Sequence, residues 1–275
     1  MGSGWRQWVF ALPVVIVLCG AVPVARGQLG ASLPETKAKA DAKVADKVVD
    51  PHDLNGVWMM HPNGITKMIP EDSHPPMTPW AQERFDATIP TMGPRDQLGK
   101  ENDPLLKCEP YGIPKILLIP QPFEIVQTPK RTFEFFEMFH IWRTIWTDGR
   151  PLPKDPDPTW QGTAVGKWEG DTFVVETVGF NDKTWVEFFG YPHSEDMKVT
   201  ERYKRVGPKT LSIAVTIEDP KAYTKPWVNP PFEFTLEPTW EIQEHFCIID
   251  EETAYGDKIR IPAGDDKPIG PLDKK

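Results

Sequence analysis

The sequence predicts an all-β domain: an antiparallel meander closing into a barrel, with a long irregular N-terminal segment that carries one short helix. Three observations lead there. From residue 116 onward, short runs alternate apolar and polar side chains, the period-2 pattern of strands with one buried face. Turn-forming clusters separate the runs: Thr128-Pro129-Lys130, Asp148-Gly149, Glu169-Gly170-Asp171, Val206-Gly207-Pro208, Asp219-Pro220 and Asn229-Pro230-Pro231. No amphipathic helical stretch lies between them, which favours a meander, sandwich or barrel over an α/β fold.

The elements follow in chain order. Residues 1–27 read as a cleaved signal peptide: Arg6 supplies the positive charge, Trp8 to Val24 the apolar run, and Ala25-Arg26-Gly27 small residues at −3 and −1. Cleavage falls before Gln28 and leaves no membrane anchor, because Pro13, Gly20 and Pro23 interrupt a run already short of the roughly 20 residues a span needs. Cys19 follows Leu18 where a lipoprotein has a small residue. The expected location is periplasmic or secreted. Residues 28–50 are Ala-, Lys- and Asp-rich and read as a flexible leader.

A single barrel domain is expected over 51–265, followed by a charged tail at 266–275. Leu54 to Met60 form a turn and first strand, and Thr78 caps a helix with Pro79 at its first position, then Trp80 to Ala87. Later strands are expected at 116–119, 122–128, 131–147, 163–167, 171–180, 197–206, 210–218, 232–237 and 239–249.

Export removes Arg6 and Arg26, leaving 29 basic against 40 acidic residues and a net charge of −11. That balance argues against nucleic acid and anionic membranes as partners. Two cysteines remain in the mature chain, Cys108 and Cys247. In an oxidising compartment they most simply form one disulfide, with two buried free thiols as the alternative. The loop it would close contributes about 4–5 kcal/mol in the chain-entropy model. Neither cysteine belongs to a CxxC or CxxH pair, so no zinc site is expected. Nor is a cofactor: phosphate-loop and dinucleotide fingerprints are missing from the sequence.

Four stretches, HIWRTIWTDGRPLP (140–153), GKWEGDTFVVET (166–177), VTERY (199–203) and DPKAYTKPW (219–227), resemble a large family of exported bacterial proteins common in soil bacteria. The resemblance spans about residues 51–265 and implies export, without implying an activity. Gly56-Val57-Trp58 near the start of a meandering β domain is also similar to the Gly-x-Trp of lipocalins, which implies a lipocalin-like barrel.

The strand faces carry the candidate chemistry. Met197, Val199 and Tyr203 share a side with Glu201 and Arg205; Val174, Val178 and Phe180 with Glu176; Trp240, Ile242, Phe246 and Ile248 with Glu244; Phe133, Phe135, Phe139, Ile141 and Ile145 with Glu137 and Arg143. A carboxylate on an interior face is costly unless paired or neutralised. These readings place a polar constellation inside an aromatic-lined barrel, although inward Glu–Arg pairs serve equally as structural salt bridges. The inward face of 131–147 stays open, because Phe136, Met138, Trp142 and Trp146 make its other face nearly as apolar.

Three functions are consistent with this pattern. The first is a carrier of a hydrophobic or amphipathic small molecule. Phe133, Phe135, Phe139, Val174, Tyr203, Trp240 and Phe246 would line its cavity, and Arg143, Glu176, Glu201 and Glu244 would orient the ligand. The second is a cofactor-independent isomerase, cyclase, hydratase or hydrolase, with Glu176 and Glu201 as acid and base and Arg205 or Arg143 as charge partner. The third is an envelope structural or interaction protein without a cavity. Weaker motifs are His193-Ser194-Glu195, which could hold a nucleophile beside a base, and the tryptophans flanking turns, which could stack on sugars.

Overall fold

A computed structural model describes residues 49–60, 75–255 and 257–258. The expected signal peptide, most of the expected leader and the expected charged tail lie outside the described residues.

The ten strands are β1 (Gly56–Met60), β2 (Phe123–Thr128), β3 (Arg131–Phe136), β4 (Trp142–Trp146), β5 (Thr163–Glu169), β6 (Thr172–Val178), β7 (Lys198–Gly207), β8 (Thr210–Glu218), β9 (Trp227–Val228) and β10 (Phe232–Leu236). Nine of them close into a barrel in the ring order β1-β2-β3-β4-β5-β6-β7-β8-β10, and β10 returns to β1. Strand β9 pairs with the far end of β8, outside the ring, through Ile217↔Trp227 and Thr216↔Val228.

The barrel departs from a pure meander at one joint. Strands β4 and β5 run parallel, paired only through Ile145↔Ala164 and Trp146↔Val165. Parallel neighbours need a crossover of a dozen or more residues, and the proline-rich segment 147–162 supplies it without a helix. Gly166 makes this joint possible: a Cβ there would lie 2.8 Å from Ile145 Cγ2 and closer still to the Phe173 ring.

The register separates the two ends of the barrel. Tight turns at 129–130, 170–171 and 208–209 occupy one end. There the Arg205 guanidinium lies 5.4 Å from the Trp58 ring, whose indole N–H donates to Leu54 O at 2.8 Å. The long connections 75–122, 137–141, 179–197 and 219–231 gather at the other end and form a layer over it. The helix α1 (Pro79–Asp86) belongs to this layer, and Thr78 Oγ1 accepts from Ala81 N at 3.3 Å to cap it. So does the buried turn Lys115–Leu118. A second helix, α2 (Ile249–Tyr255), lies near the C-terminus.

Three expected elements are corrected. Residues 116–119 form part of a 3₁₀ turn rather than a strand. Residues 131–147 are two antiparallel strands joined by a turn at Met138–His140, in which Phe139 and His140 adopt positive φ of 58° and 50°. Residues 239–248 are irregular and mostly exposed, with Ile242, His245 and Cys247 half-buried, and do not form a strand. The disulfide joins Cys108 to Cys247 across 139 residues and ties that irregular segment to the loop layer.

Candidate functional site

The β3–β4 hairpin determines what enters the barrel. Glu134 pairs with Arg143 and Phe135 with Trp142, so cross-strand partners share a face but differ in parity. Inward positions are therefore even on β3 and odd on β4: Thr132, Glu134, Phe136, Arg143 and Ile145 are buried. Phe133 and Phe135 point outward, correcting their expected place in an interior cavity.

Inside, Arg143 reaches across the barrel. Its Nε donates to Glu134 Oε2 at 2.6 Å, and its two Nη atoms grip Glu201 on β7 at 2.8 and 2.7 Å. Tyr203, two residues beyond Glu201 and so on its face, accepts from Arg143 Nη2 at 2.8 Å and donates to Glu201 Oε1 at 2.8 Å. The fork-to-fork geometry makes these charge-assisted contacts directional as well as strong. All four side chains are buried.

Burial raises the Glu134 carboxyl above its usual range despite Arg143. For Arg143, burial opposes the charge, but the two carboxylates more than offset it and hold the guanidinium protonated. Burial and the same carboxylates push the Tyr203 phenol well up.

The sequence thus brought Arg143, Glu201 and Tyr203 together and missed Glu134, whose parity placed it on the wrong face. Aromatic and aliphatic side chains fill the rest of the interior. Trp58, Phe123, Phe173, Val199, Leu211, Ile213, Val215 and Phe234 retain at most 2% exposure, and Phe123 packs against Phe136 and Phe234 with ring centroids 5.4 and 5.3 Å apart. The interior that the alternation assigned to a ligand is occupied by side chains.

The remaining candidates lie elsewhere. Glu176 faces outward, half-exposed and paired with Lys198, while Glu201 faces inward. They are registered against Thr200 and Val175 respectively, so they do not form an acid–base pair. Arg205 lies at the tight-turn end and donates to Asp53 O and Pro208 O. Val174 is on the outer face, opposite Arg202. Glu244 is exposed in the irregular segment.

Several of the expected ligand-lining residues do converge, but outside the barrel. Phe133, Phe135 and Trp142 form an aromatic strip on the outer face of β3–β4, with ring centroids 5.8 Å apart for the phenylalanines and 6.4 Å for Phe133 and Trp142. The 239–248 segment lies alongside. Between them runs a groove of about 440 Å³ walled by Phe135, Ile141, Trp142 and Ile242, with Glu124 and His140 as polar groups. A neighbouring groove of about 420 Å³ is lined by Trp240, Glu137 and Gln243. Phe246 meets the His140 ring at 4.7 Å, and Phe139 stacks on His245 at 5.9 Å. Trp142 and Phe246 are 58% and 60% exposed, far beyond what core aromatics show.

No family model matches the chain, and no solved structure is significantly similar to it. None of the helices among the described residues is long and apolar enough to cross a membrane, which says nothing about β-barrels. Among the same residues, no group of three or more His, Cys, Asp and Glu side chains could hold a metal ion.

A second buried charge cluster, unmarked in the sequence, lies in the loop layer. Lys115 Nζ donates to both Asp103 oxygens at 2.9 and 2.7 Å and sits 5.0–5.2 Å from the rings of Tyr111, Trp185 and Phe188. Glu187, on the same side of the layer, instead accepts backbone N–H bonds from Phe189 at 2.7 Å and Tyr191 at 3.4 Å. Burial pushes its carboxyl up to about 7 and lowers the Lys115 ammonium. The only available signal was a lysine embedded in the apolar run 113–119, which is too common to single out.

Proposed function

We propose that this is an exported barrel that binds a hydrophobic or amphipathic small molecule on its outer wall, in the groove between β3–β4 and residues 239–248. The observation that carries this reading is the aromatic wall of half-buried Phe135 and exposed Trp142 facing Ile242 across a space of small-molecule size, with Glu124 and His140 among the residues that line it. Contiguous exposed apolar surface bordered by polar groups marks ligand-binding grooves and interaction sites. The filled interior argues against the central cavity that the strand alternation suggested. Export is supported by the charge, apolar run and small residues of 1–27 and by the Cys108–Cys247 bond. Membership of the exported bacterial family rests on the four motifs at 140–153, 166–177, 199–203 and 219–227.

Titration of the mature, disulfide-bonded protein with 8-anilinonaphthalene-1-sulfonate tests the reading. Saturable binding with quenching of tryptophan emission is expected, weakened by about tenfold or more in Trp142→Ala, equivalent to about 1.4 kcal/mol. Failure to bind, or affinity unchanged in Trp142→Ala and Phe135→Ala, rejects the groove. Native mass spectrometry of protein taken from its own host would then identify any resident molecule.

A further inference from the structure

The segment joining β6 to β7 folds back on itself. Trp185 and Pro192 form an antiparallel bridge, and Val186 N donates to Tyr191 O at 2.8 Å. One position outward in that register, Thr184 faces His193, with Thr184 Oγ1 2.9 Å from Nε2. On the other side of the ring, Nδ1 lies 3.2 Å from the carbonyl oxygen of Ser194. A carbonyl can only accept, so Nδ1 carries the proton, Nε2 is left as the acceptor, and the Thr184 hydroxyl donates to it.

Burial disfavours the imidazolium and keeps this ring in its basic form at neutral pH. Ser194 is itself fixed: its N and Oγ donate to the Asp219 carboxylate at 2.6 and 2.8 Å. The Ser194 hydroxyl, the nucleophile that the weaker His193-Ser194-Glu195 motif offered, is therefore committed to Asp219, and the hydroxyl that meets the imidazole comes from nine residues before His193.

Hydroxyl, base and orienting acceptor stand in the order that an activated nucleophile requires. Thr184 and His193 both line a cleft of about 270 Å³ that is separate from the outer groove and also bounded by Arg84, Asp182 and Lys183. We propose that this cleft hydrolyses small carboxylic esters, with Thr184 as nucleophile and His193 as general base.

In the first half-reaction, Thr184 Oγ bonds to the ester carbonyl carbon while its proton passes to His193 Nε2. The tetrahedral adduct collapses by breaking the bond to the alcohol oxygen, and the alcohol leaves with the proton from Nε2. In the second, water attacks the acyl-threonine and gives one proton to Nε2. The carboxylic acid departs and Thr184 Oγ regains that proton. Arg84 and Lys183 supply positive charge on the wall as the carbonyl oxygen becomes anionic.

The test uses the mature, disulfide-bonded chain with p-nitrophenyl acetate as substrate and diisopropyl fluorophosphate as trap. Expected are turnover that rises with pH as the imidazole loses its proton, and one phosphoryl adduct mapped to Thr184. Thr184→Ala and His193→Gln should each lower turnover by about 10²-fold or more, while Thr184→Ser retains it. The trapping experiment needs no variant, so it stands even if His193→Gln fails to fold. No adduct, an adduct elsewhere, or turnover unchanged in Thr184→Ala would overturn the proposal.

Discussion

The barrel and the loop layer above it face one problem, charge removed from water, and answer it differently. In the barrel, one guanidinium on β4 is forked between two carboxylates on β3 and β7, and the contacts run between side chains on strands of one ring. In the layer, an ammonium is bound to one carboxylate and surrounded by three aromatic rings, and the second carboxylate relies on backbone amides. A guanidinium presents donors in a fixed plane, so it can bridge opposing walls at set distances. An ammonium is a compact charge that suits a close cage. The strands therefore impose geometry on the Arg143 network, whereas the Lys115 cage is built from loops.

The largest effect is expected where relaxation is least possible. Arg143→Met should destabilise the fold by about 3–5 kcal/mol, because it strands Glu134 and Glu201 in the interior. Lys115→Met, measured in the same urea titration, should cost less; an equal or greater cost would contradict the contrast between strand-built and loop-built surroundings.

Next comes pH. Glu187 has a folded pKa near 7, above its unfolded value, so the native state binds that proton more tightly. Its contribution is fully present below pH ~4.5 and is lost as pH rises through 7, by up to about 3 kcal/mol. Wild type minus Glu187→Gln should show that fall between pH 5 and 8, and a flat difference would mean that the carboxylate is better solvated than the structure implies.

Replacing Glu134, Arg143 and Glu201 together by apolar residues of similar volume should recover most of the Arg143→Met loss, ending within about 1–2 kcal/mol of wild type or above it. A triple variant as weak as the single one would show that the network specifies the fold and not merely its own neutrality. The smallest effect, about 1 kcal/mol, is expected for Thr78→Ala at the α1 cap, read from the shift in unfolding midpoint.

The sequence made the barrel legible wherever one strand face was cleanly apolar. Strand β8, with Leu211, Ile213, Val215 and Ile217 alternating, buries those four residues as expected. It was silent at the β3–β4 hairpin because the turn is built from Met138, Phe139 and His140 and contains no Gly, Pro, Asn or Asp. Phe139 and His140 both occupy a left-handed conformation, which a phenylalanine rarely adopts. Without a mark for that turn, alternation read through 131–147 inverts the parity of β3, assigning Phe133 and Phe135 inward and Glu134 outward, the reverse of the structure.

The opposite error occurred at 239–249. There the alternation of Trp240, Ile242, Glu244, Phe246 and Ile248 looked like a strand, but Trp240, Phe246 and Ile248 stay largely exposed and the segment is held through Cys247. Interior partners such as Arg143, Glu201 and Tyr203 could be suspected from face sharing. The Thr184–His193 contact could not, because it depends on a fold-back whose bridge lies between residues 185 and 192.

The parallel joint between β4 and β5 has a topological meaning. It is registered at two positions, fewer than any other joint in the ring, and it is the only place where strands adjacent in the ring fail to run antiparallel. Unrolled there, the barrel becomes a strip of nine strands running from β5 to β4, whose two selvedges are consecutive in the chain. Arg143 sits on one selvedge and holds Glu201, two strands in from the other, so the buried ion pair doubles as the buckle of the strip.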